Sequence, residues 1–207
     1  MRAQEYQALT ALAGYAASRM TDNLVKGEWD ARTYRGVGPH AHDPDSFDVA
    51  TIVASCIERA RPGTDAKHVG STAVEGLVGK GIVDLQITAE PCQVEEITDV
   101  LLSIGFSRQG GPDPWPKERP MLVGTVRHKN EKVFAVHCHV VPTDDRQVHE
   151  MIALRDLLRA DPAARERYAA EKRRIVAQTT DVYAYTEAKT GFIVELLRSQ
   201  SQRATET

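Results

Sequence analysis

Residues 70–72 of the 207-residue chain, Gly-Ser-Thr, have the composition of a phosphate cradle. They follow a short apolar stretch, which predicts a strand ending in a turn at Gly70. Glycine lets a ligand approach the backbone closely, and the hydroxyl groups of Ser71 and Thr72 can donate hydrogen bonds to phosphate oxygens. The same residues would also serve as a plain turn and helix cap, so both interpretations stay open at this point.

A carboxylate, Asp84, lies inside the next apolar segment, residues 81–87. A carboxylate in a central strand must be paired, hydrogen-bonded or bound to a metal ion, because an isolated buried charge is unstable. Gln86 lies two residues further on and therefore shares a strand face with Asp84. We expect Asp84 to hold Mg²⁺ against phosphates bound at the turn, with Gln86 beside it. A carboxylate bonded only to backbone amides is the alternative.

Two histidines, His137 and His139, occupy alternate positions of a later apolar segment and so share one strand face. Neutral imidazole binds zinc and other transition metals, and it can also serve as a general base. The pair could complete a metal site with Asp84, remove a proton from an acceptor or, when charged, hold a phosphate. Partly buried histidines bonded to the backbone are the structural alternative.

The elements that would position these groups form an α+β pattern. Ser46 is the expected N-cap of the second predicted helix. Residues 147–207 are helical in pattern, with breaks at Asp161-Pro162 and Thr180-Asp181 that give about three helices. Periodicity predicts helices at 3–20, 46–60 and 92–104, a loop at 27–46, strands at 65–71, 80–88, 121–128 and 133–143, and a hairpin turn at 129–132.

The composition limits the environment and partners of the chain. Its 26 Lys and Arg against 29 Asp and Glu give a net charge of −3, so no global field attracts nucleic acid or an anionic membrane. No apolar run is long enough for a membrane span, and residues 1–20 resemble an amphipathic helix more than a signal peptide. Three cysteines, far apart in sequence, suit reduced thiols. We therefore expect a cytoplasmic protein with no membrane partner.

The spacing of Gly70-Ser71 and Asp84-Leu85-Gln86 resembles the signature of the DNA polymerase β-type nucleotidyltransferase superfamily. Residues 68–87 resemble its GrpB branch more closely. Three later segments agree with that branch in the same order: 136–141, 154–173 and 185–197. The resemblance spans about residues 46–198. It implies a mixed β-sheet core packed with helices in 46–145 and a C-terminal helical region in 146–207. Residues 1–45 lie outside the resemblance, and their pattern predicts an extension of helix and loop.

The resemblance also implies a Mg²⁺-dependent nucleotidyltransferase that moves a nucleotidyl group from an NTP, expected to be ATP, to a small-molecule acceptor, or adenylates a carboxylate. Gln86 stands where the superfamily has a second metal carboxylate, so a non-catalytic nucleotide-binding module is the alternative. The implied site comprises catalytic Asp84, His137 and His139; nucleotide-binding Gly70, Ser71, Thr72, Lys80, Arg127, Arg155 and Arg159; and metal ligands Asp84, Gln86, His137 and His139.

Three other features are weaker candidates. The loop containing His40, His42, Asp43 and Asp45 has metal-like spacing, but a connector or a mobile loop over the site would have the same composition. Trp115 could stack on a base or an acceptor, or simply pack in its loop. Lys172 and Lys189 lie at positions that match basic residues of the GrpB branch.

Overall fold

The computed structural model describes residues 24–25, 40–110, 115–145, 148–179 and 181–205. The helix predicted at 3–20 and nearly all of the loop at 27–46 lie outside them. The helices are α1 (Asp45–Ala60), α2 (Val94–Ser103), α3 (Glu150–Ala160), α4 (Pro162–Gln178) and α5 (Val182–Thr205). The strands are β1 (Leu24–Val25), β2 (Ala66–Val69), β3 (Val83–Ala89), β4 (Ser107–Arg108), β5 (Met121–Arg127) and β6 (Val133–Pro142).

The strands form one mixed sheet in the order β1-β5-β6-β3-β2, with β4 paired to β5. Strands β5 and β6 form the predicted antiparallel hairpin, closed by a 3₁₀ turn at Lys129–Glu131. Strands β3 and β6 run parallel at the centre of the sheet. The predicted α+β class with a mixed sheet is confirmed, whereas the division of the chain at residues 45 and 145 stays a prediction.

The two faces of the central strands differ in chemistry because side chains alternate along a strand. On one face, Leu85 and Cys138 join the large apolar core that α1 and α2 cover. On the other face lie Asp84, Gln86, His137 and His139. The apolar core face therefore fixes the direction in which the polar residues point, since a register shift of one residue would bury the wrong set.

A second apolar cluster packs α3, α4 and α5 against the segment that follows the glycine-serine turn. Val74 and Leu77 of that segment contact Leu158 and Tyr168 of the helices within this cluster. The predicted break at Asp161 is confirmed, because its side chain caps α4 by accepting hydrogen bonds from two backbone amides and Pro162 follows. The C-terminal helices thus lie over the turn.

Ser46 does not cap α1 as the sequence suggested. The helix begins at Asp45 after Pro44, and Ser46 is buried in its first turn. The Ser46 hydroxyl instead donates to the Thr72 carbonyl oxygen at 3.2 Å, which ties α1 to the glycine-serine turn. No helix within the described residues is both long and apolar enough to cross a membrane.

Candidate functional site

The glycine-serine turn begins directly beside Asp84. Val69, the last residue of β2, pairs with Asp84 in the sheet, so the next residue, Gly70, lies against its side chain. Gly70 has φ +73° and ψ −168°, a conformation that is essentially restricted to glycine. A Cβ atom on Gly70 would lie 2.5 Å from Asp84 Oδ2. Glycine is therefore required here both by the backbone and by the approach of the carboxylate.

A second close approach brings Ser71 and Lys172 together. A Cβ atom on Gly79 would overlap Ser71 Oγ and lie 3.4 Å from Lys172 Nζ. The hydroxyl and the ammonium group thus face the same small space. Thr72 differs from Ser71, because its buried hydroxyl donates to the Ile82 carbonyl oxygen at 3.0 Å and contacts His68 Nε2 at 3.0 Å. The Thr72 hydroxyl holds the turn in place.

Asp84, His137 and His139 converge at the centre of the sheet. His137 lies opposite Asp84 in the parallel pair, and His139 follows on the same face. The Asp84 Oδ1 atom lies 3.3 Å from His137 Nδ1 and 3.4 Å from His139 Nε2. Within the described parts of the chain, this is the one group of three such side chains with ligand atoms all within 4.8 Å of one another.

The electrostatics of this cluster favour an ionised aspartate. Burial opposes ionisation of Asp84, but hydrogen bonds from His137 and His139 outweigh it, so the pKa of the carboxyl is well below its ordinary value. Burial lowers the pKa of His139, which favours a neutral ring. One carboxylate beside neutral imidazole is a set of groups that can bind a divalent cation.

Gln86 lies on the same face as Asp84 and is only 1% exposed. Its amide nitrogen donates to the Val148 carbonyl oxygen at 2.7 Å and to Thr88 Oγ1 at 3.1 Å. Its Oε1 atom is buried without a hydrogen-bond partner among the described residues. The cluster as a whole fits Mg²⁺ poorly, because Mg²⁺ prefers oxygen ligands and two of the three gathered side chains offer nitrogen.

Three lysines, Lys80, Lys172 and Lys189, gather beside the turn. Burial and the Lys189 charge lower the pKa of Lys172 to about 7 and that of Lys80 to about 8, and burial also lowers the pKa of Lys189. The Asp84 charge partly opposes the shift in all three. The cluster therefore has more positive groups than negative ones, as a polyanion site would require.

Tyrosine rings line the lysine cluster. Lys80 Nζ lies 4.7 Å from the centre of the Tyr185 ring, and Lys189 Nζ lies 6.0 Å from the same ring. Lys172 Nζ lies 5.4 Å from the Tyr168 ring and donates to the Val78 carbonyl oxygen at 2.6 Å. These contacts hold the three ammonium groups in fixed positions. The sequence placed Lys172 and Lys189 among the basic residues of the helices. Their spacing could not show that they gather with Lys80 beside the turn, where Lys172 is buried and Lys80 and Lys189 are half-buried.

Two of the three arginines expected to bind phosphate donate to the backbone on either side of the glycine-serine turn, and the third lies away from it. Arg155 Nη1 donates to the His68 carbonyl oxygen at 3.0 Å, and Arg159 Nε donates to the Ala73 carbonyl oxygen at 2.8 Å. Arg127 is exposed at the end of β5 and pairs with Glu131. It is four residues along β5 from the residue opposite His137, or about 13 Å at the usual strand rise. The structure thus does not bring Arg127 to the turn.

The weaker candidates divide between the site and its surroundings. The Trp115 ring lies 5.3 Å from the His139 ring in an edge-to-face contact, and Arg119 lies 5.4 Å from the Trp115 ring. Trp115 is 37% exposed and so borders the cluster. The loop at residues 40–45 gathers no metal site, because Lys132 bridges Asp43 and Asp45 at 2.5 and 3.0 Å. That loop is a connector tied to the sheet.

Known proteins resemble this chain in sequence. A sequence model described as GrpB protein matches residues 40–199. A UPF0157 protein of Deinococcus radiodurans is 31% identical over 151 residues, 73% of this chain and 73% of that protein. Another, of Streptomyces coelicolor, is 34% identical over 134 residues, 64% of this chain and 66% of that protein.

A solved structure agrees with the sequence matches. The crystal structure of the conserved protein GrpB from Enterococcus faecalis aligns with a TM-score of 0.59 and 22% identity, over 80% of this chain and 98% of that chain. At that identity the alignment shows a common fold. The matched residues 40–199 include the glycine-serine turn, Asp84, both histidines and all three lysines, and the resemblance noted from these motifs is confirmed: the chain belongs to the GrpB family.

Proposed function

We propose that this chain binds a nucleoside triphosphate at the glycine-serine turn and transfers its nucleotidyl group to a small-molecule acceptor. The observation that carries the proposal is the gathering of Lys80, Lys172 and Lys189 beside Ser71 and Asp84. A buried ammonium group is unfavourable without a compensating negative charge. A triphosphate supplies several such charges to one small region, and ATP is the expected donor.

The residues of the cluster have different roles in the transfer reaction. Ser71 donates a hydrogen bond to a phosphate oxygen, and the lysines stabilise the charge that develops on the leaving group. The acceptor oxygen or nitrogen attacks the α-phosphorus, the bond from that phosphorus to the bridging oxygen breaks, and pyrophosphate leaves. The acceptor proton, where there is one, passes to solvent. A carboxylate acceptor has no proton to lose and would give an acyl adenylate.

The base or the acceptor would pack against the Trp115 ring. This ring borders the cluster beside His139, on the β5 side, whereas the lysines come from the loop before β3 and from the C-terminal helices. An aromatic ring of this kind offers a flat apolar surface against which a planar or sugar-like group can pack. The phosphates and the second substrate would then approach Asp84 from different sides.

A non-catalytic nucleotide-binding module is the second candidate function. Gln86 favours it, because an amide replaces the second acidic residue of the superfamily signature and its nitrogen is bonded to Val148. Such a module would keep the lysine cluster and bind nucleotide without turnover. Binding and turnover must therefore be measured separately.

Calorimetric titration with the four NTPs and with tripolyphosphate tests the binding step. We expect Lys172→Met and Lys189→Met to weaken binding at least tenfold, because each removes a charge from the cluster. Lys129→Met is the matched control, since Lys129 is exposed and pairs with Asp48 away from the turn. Equal weakening in the control, or no binding by the unmodified protein, would contradict the proposal.

Pyrophosphate release separates the enzyme from the module. Each NTP is offered with a panel of hydroxyl, amine and carboxylate acceptors to the unmodified protein and to Asp84→Asn. Release that falls by orders of magnitude in Asp84→Asn would support nucleotidyl transfer. Nucleotide binding without release under any condition would favour the module.

A further inference from the structure

We propose that Asp84, His137 and His139 form a site for a transition-metal dication, with Zn²⁺ the best fit, rather than for Mg²⁺. The inference concerns the ion and not the reaction, so it does not depend on nucleotide transfer. Two independent observations carry it: the chemical type of the gathered ligand atoms and the distances between them. A third, the way in which the ligands are held, supports it.

The ligand types favour a borderline-soft ion. Mg²⁺ is a hard cation that keeps several waters and binds through carboxylate and phosphate oxygens. Zn²⁺ is bound by histidine nitrogen and carboxylate oxygen, and a set of three protein ligands is typical of its catalytic sites. Two imidazoles and one carboxylate converge here. No second carboxylate joins them among the described residues, because Gln86 occupies the matching position on β3.

The two separations measured from the Asp84 carboxylate agree with tetrahedral geometry. Ligand bonds of about 2.0–2.1 Å place neighbouring ligand atoms about 3.3–3.4 Å apart around a tetrahedral ion. The same bond lengths around an octahedral Mg²⁺ would bring adjacent atoms to about 2.9 Å. The observed separations from Asp84 Oδ1 are 3.3 Å to His137 Nδ1 and 3.4 Å to His139 Nε2. At these two separations the cluster matches a tetrahedral ion better than an octahedral one, with all three ligand atoms within 4.8 Å of one another.

The surroundings hold these ligands in place. His139 is only 7% exposed and its ring packs against Trp115. Asp84 Oδ2 lies against Gly70, which leaves Oδ1 directed at the histidines. Gln86 Oε1 is a buried acceptor two residues from Asp84 on the same strand face, and it has no hydrogen-bond partner in the described part of the chain. Rigid ligands with a nearby free oxygen suit a metal ion and its bound water.

Metal titration without nucleotide tests the inference. Purified protein is stripped with a chelator and titrated by calorimetry with Zn²⁺, Mn²⁺ and Mg²⁺, and Co²⁺ is used to record the visible absorption of a tetrahedral site. We expect one Zn²⁺ per chain with an affinity at least 100-fold above that for Mg²⁺. His137→Ala and His139→Ala should each lower Zn²⁺ affinity at least tenfold. His149→Ala is the control, since this exposed histidine lies outside the cluster.

Replacing one metal ligand by another type of ligand distinguishes a change in metal preference from a general loss of metal binding. Replacing nitrogen by oxygen in His137→Asp should lower Zn²⁺ affinity and raise Mg²⁺ affinity, which a damaged fold would not do. Circular dichroism and cooperative urea unfolding verify that each variant is folded, and His137→Gln replaces any variant that is not. The inference would be overturned by equal Zn²⁺ and Mg²⁺ affinity, by no metal binding, or by Zn²⁺ binding that survives in both histidine variants. Failure of nucleotide binding would leave it standing.

Discussion

At the scale of single residues, the site is shaped as much by absent side chains as by present ones. Gly70 and Gly79 have no Cβ, and that absence lets Asp84 lie against the turn and Ser71 lie beside Lys172. Any larger residue at either position would enter space that the functional groups occupy. These glycines therefore have a steric role beyond the ordinary requirement of a turn.

The substitution Gly70→Ala separates these two effects. Gly63→Ala is a matched control, because Gly63 also has a positive φ of +85° but nothing lies within 4 Å of its added Cβ. We expect Gly63→Ala to lower the free energy of unfolding by about 1 kcal/mol. Gly70→Ala should lower it by about 3 kcal/mol and should also displace Asp84. Urea denaturation measures the first effect, and equal losses in the two variants would refute the steric role.

At the scale of elements, the C-terminal helices hold the glycine-serine turn through its backbone. Basic side chains of α3 and α4 donate to carbonyl oxygens of residues 68, 73 and 78. Residue 68 lies in β2 at the end of the sheet order, and residues 73 and 78 lie outside the strands. A carbonyl oxygen at such a position needs a donor other than a strand partner. Arg155 and Arg159, expected from the sequence to bind phosphate, donate to this backbone and so position the turn, while phosphate binding by them stays a prediction.

The substitution Arg159→Ala tests this positioning role. Loss of a charge-assisted hydrogen bond to a partly buried carbonyl should lower the free energy of unfolding by about 2 kcal/mol. Arg173→Ala, which removes an exposed pair with Glu166 on α4, should cost less than about 0.5 kcal/mol. Chemical denaturation compares the two. Binding of tripolyphosphate should weaken in Arg159→Ala and recover in part in Arg159→Lys, which keeps a donor.

At the scale of the whole molecule, the sign of the net charge differs from the sign of the local charge at the glycine-serine turn. The chain carries a net charge of −3, yet three lysines gather beside one carboxylate at the turn. The lowered pKa values of Lys172 and Lys80 show that their environment resists these charges. Keeping these lysines charged therefore costs the folded protein part of its stability.

Because the folded protein opposes these charges, its free energy of unfolding should rise with pH. The folded pKa of Lys172 is about 7 and that of Lys80 about 8, both below their ordinary value of 10.5. Between pH 7 and 10.5 the unfolded chain therefore binds more protons, so the free energy of unfolding should rise with pH, by up to about 1.4 kcal/mol per pH unit for each group. The charged groups acting on Lys172 are Lys80, Lys189 and Asp84.

Urea denaturation at pH 7, 8 and 9 measures this slope. Lys172→Met should flatten the slope and raise stability at pH 7, because it removes the buried charge. Lys129→Met should keep the slope of the unmodified protein. Identical slopes in both variants would show that Lys172 does not titrate in this range. Tripolyphosphate affinity should fall over the same range as the lysines lose their protons.

Local sequence patterns predicted most of the helices and strands. The features that they missed depend on very short strands or on packing between elements distant in sequence. The alternation around Asp84, the hairpin and the break at Asp161 follow from residues close in sequence, and each was predicted. Strands β1 and β4 have two residues each, too few for alternation to detect. The grouping of Lys80, Lys172 and Lys189 depends on how α4 and α5 pack over the turn, and periodicity within one helix carries no information about that packing.

The parallel pairing of β3 with β6 determines when, during protein synthesis, the site can first exist. Asp84 and His139 are 55 positions apart, and the chain between them, which includes α2, β4 and β5, must be synthesised before the two strands can meet. Lys172 and Lys189 leave the ribosome later still. Each nascent chain therefore contains the glycine-serine turn and Asp84 before the histidines and lysines have been synthesised, and the complete cluster can assemble only when α5 has emerged.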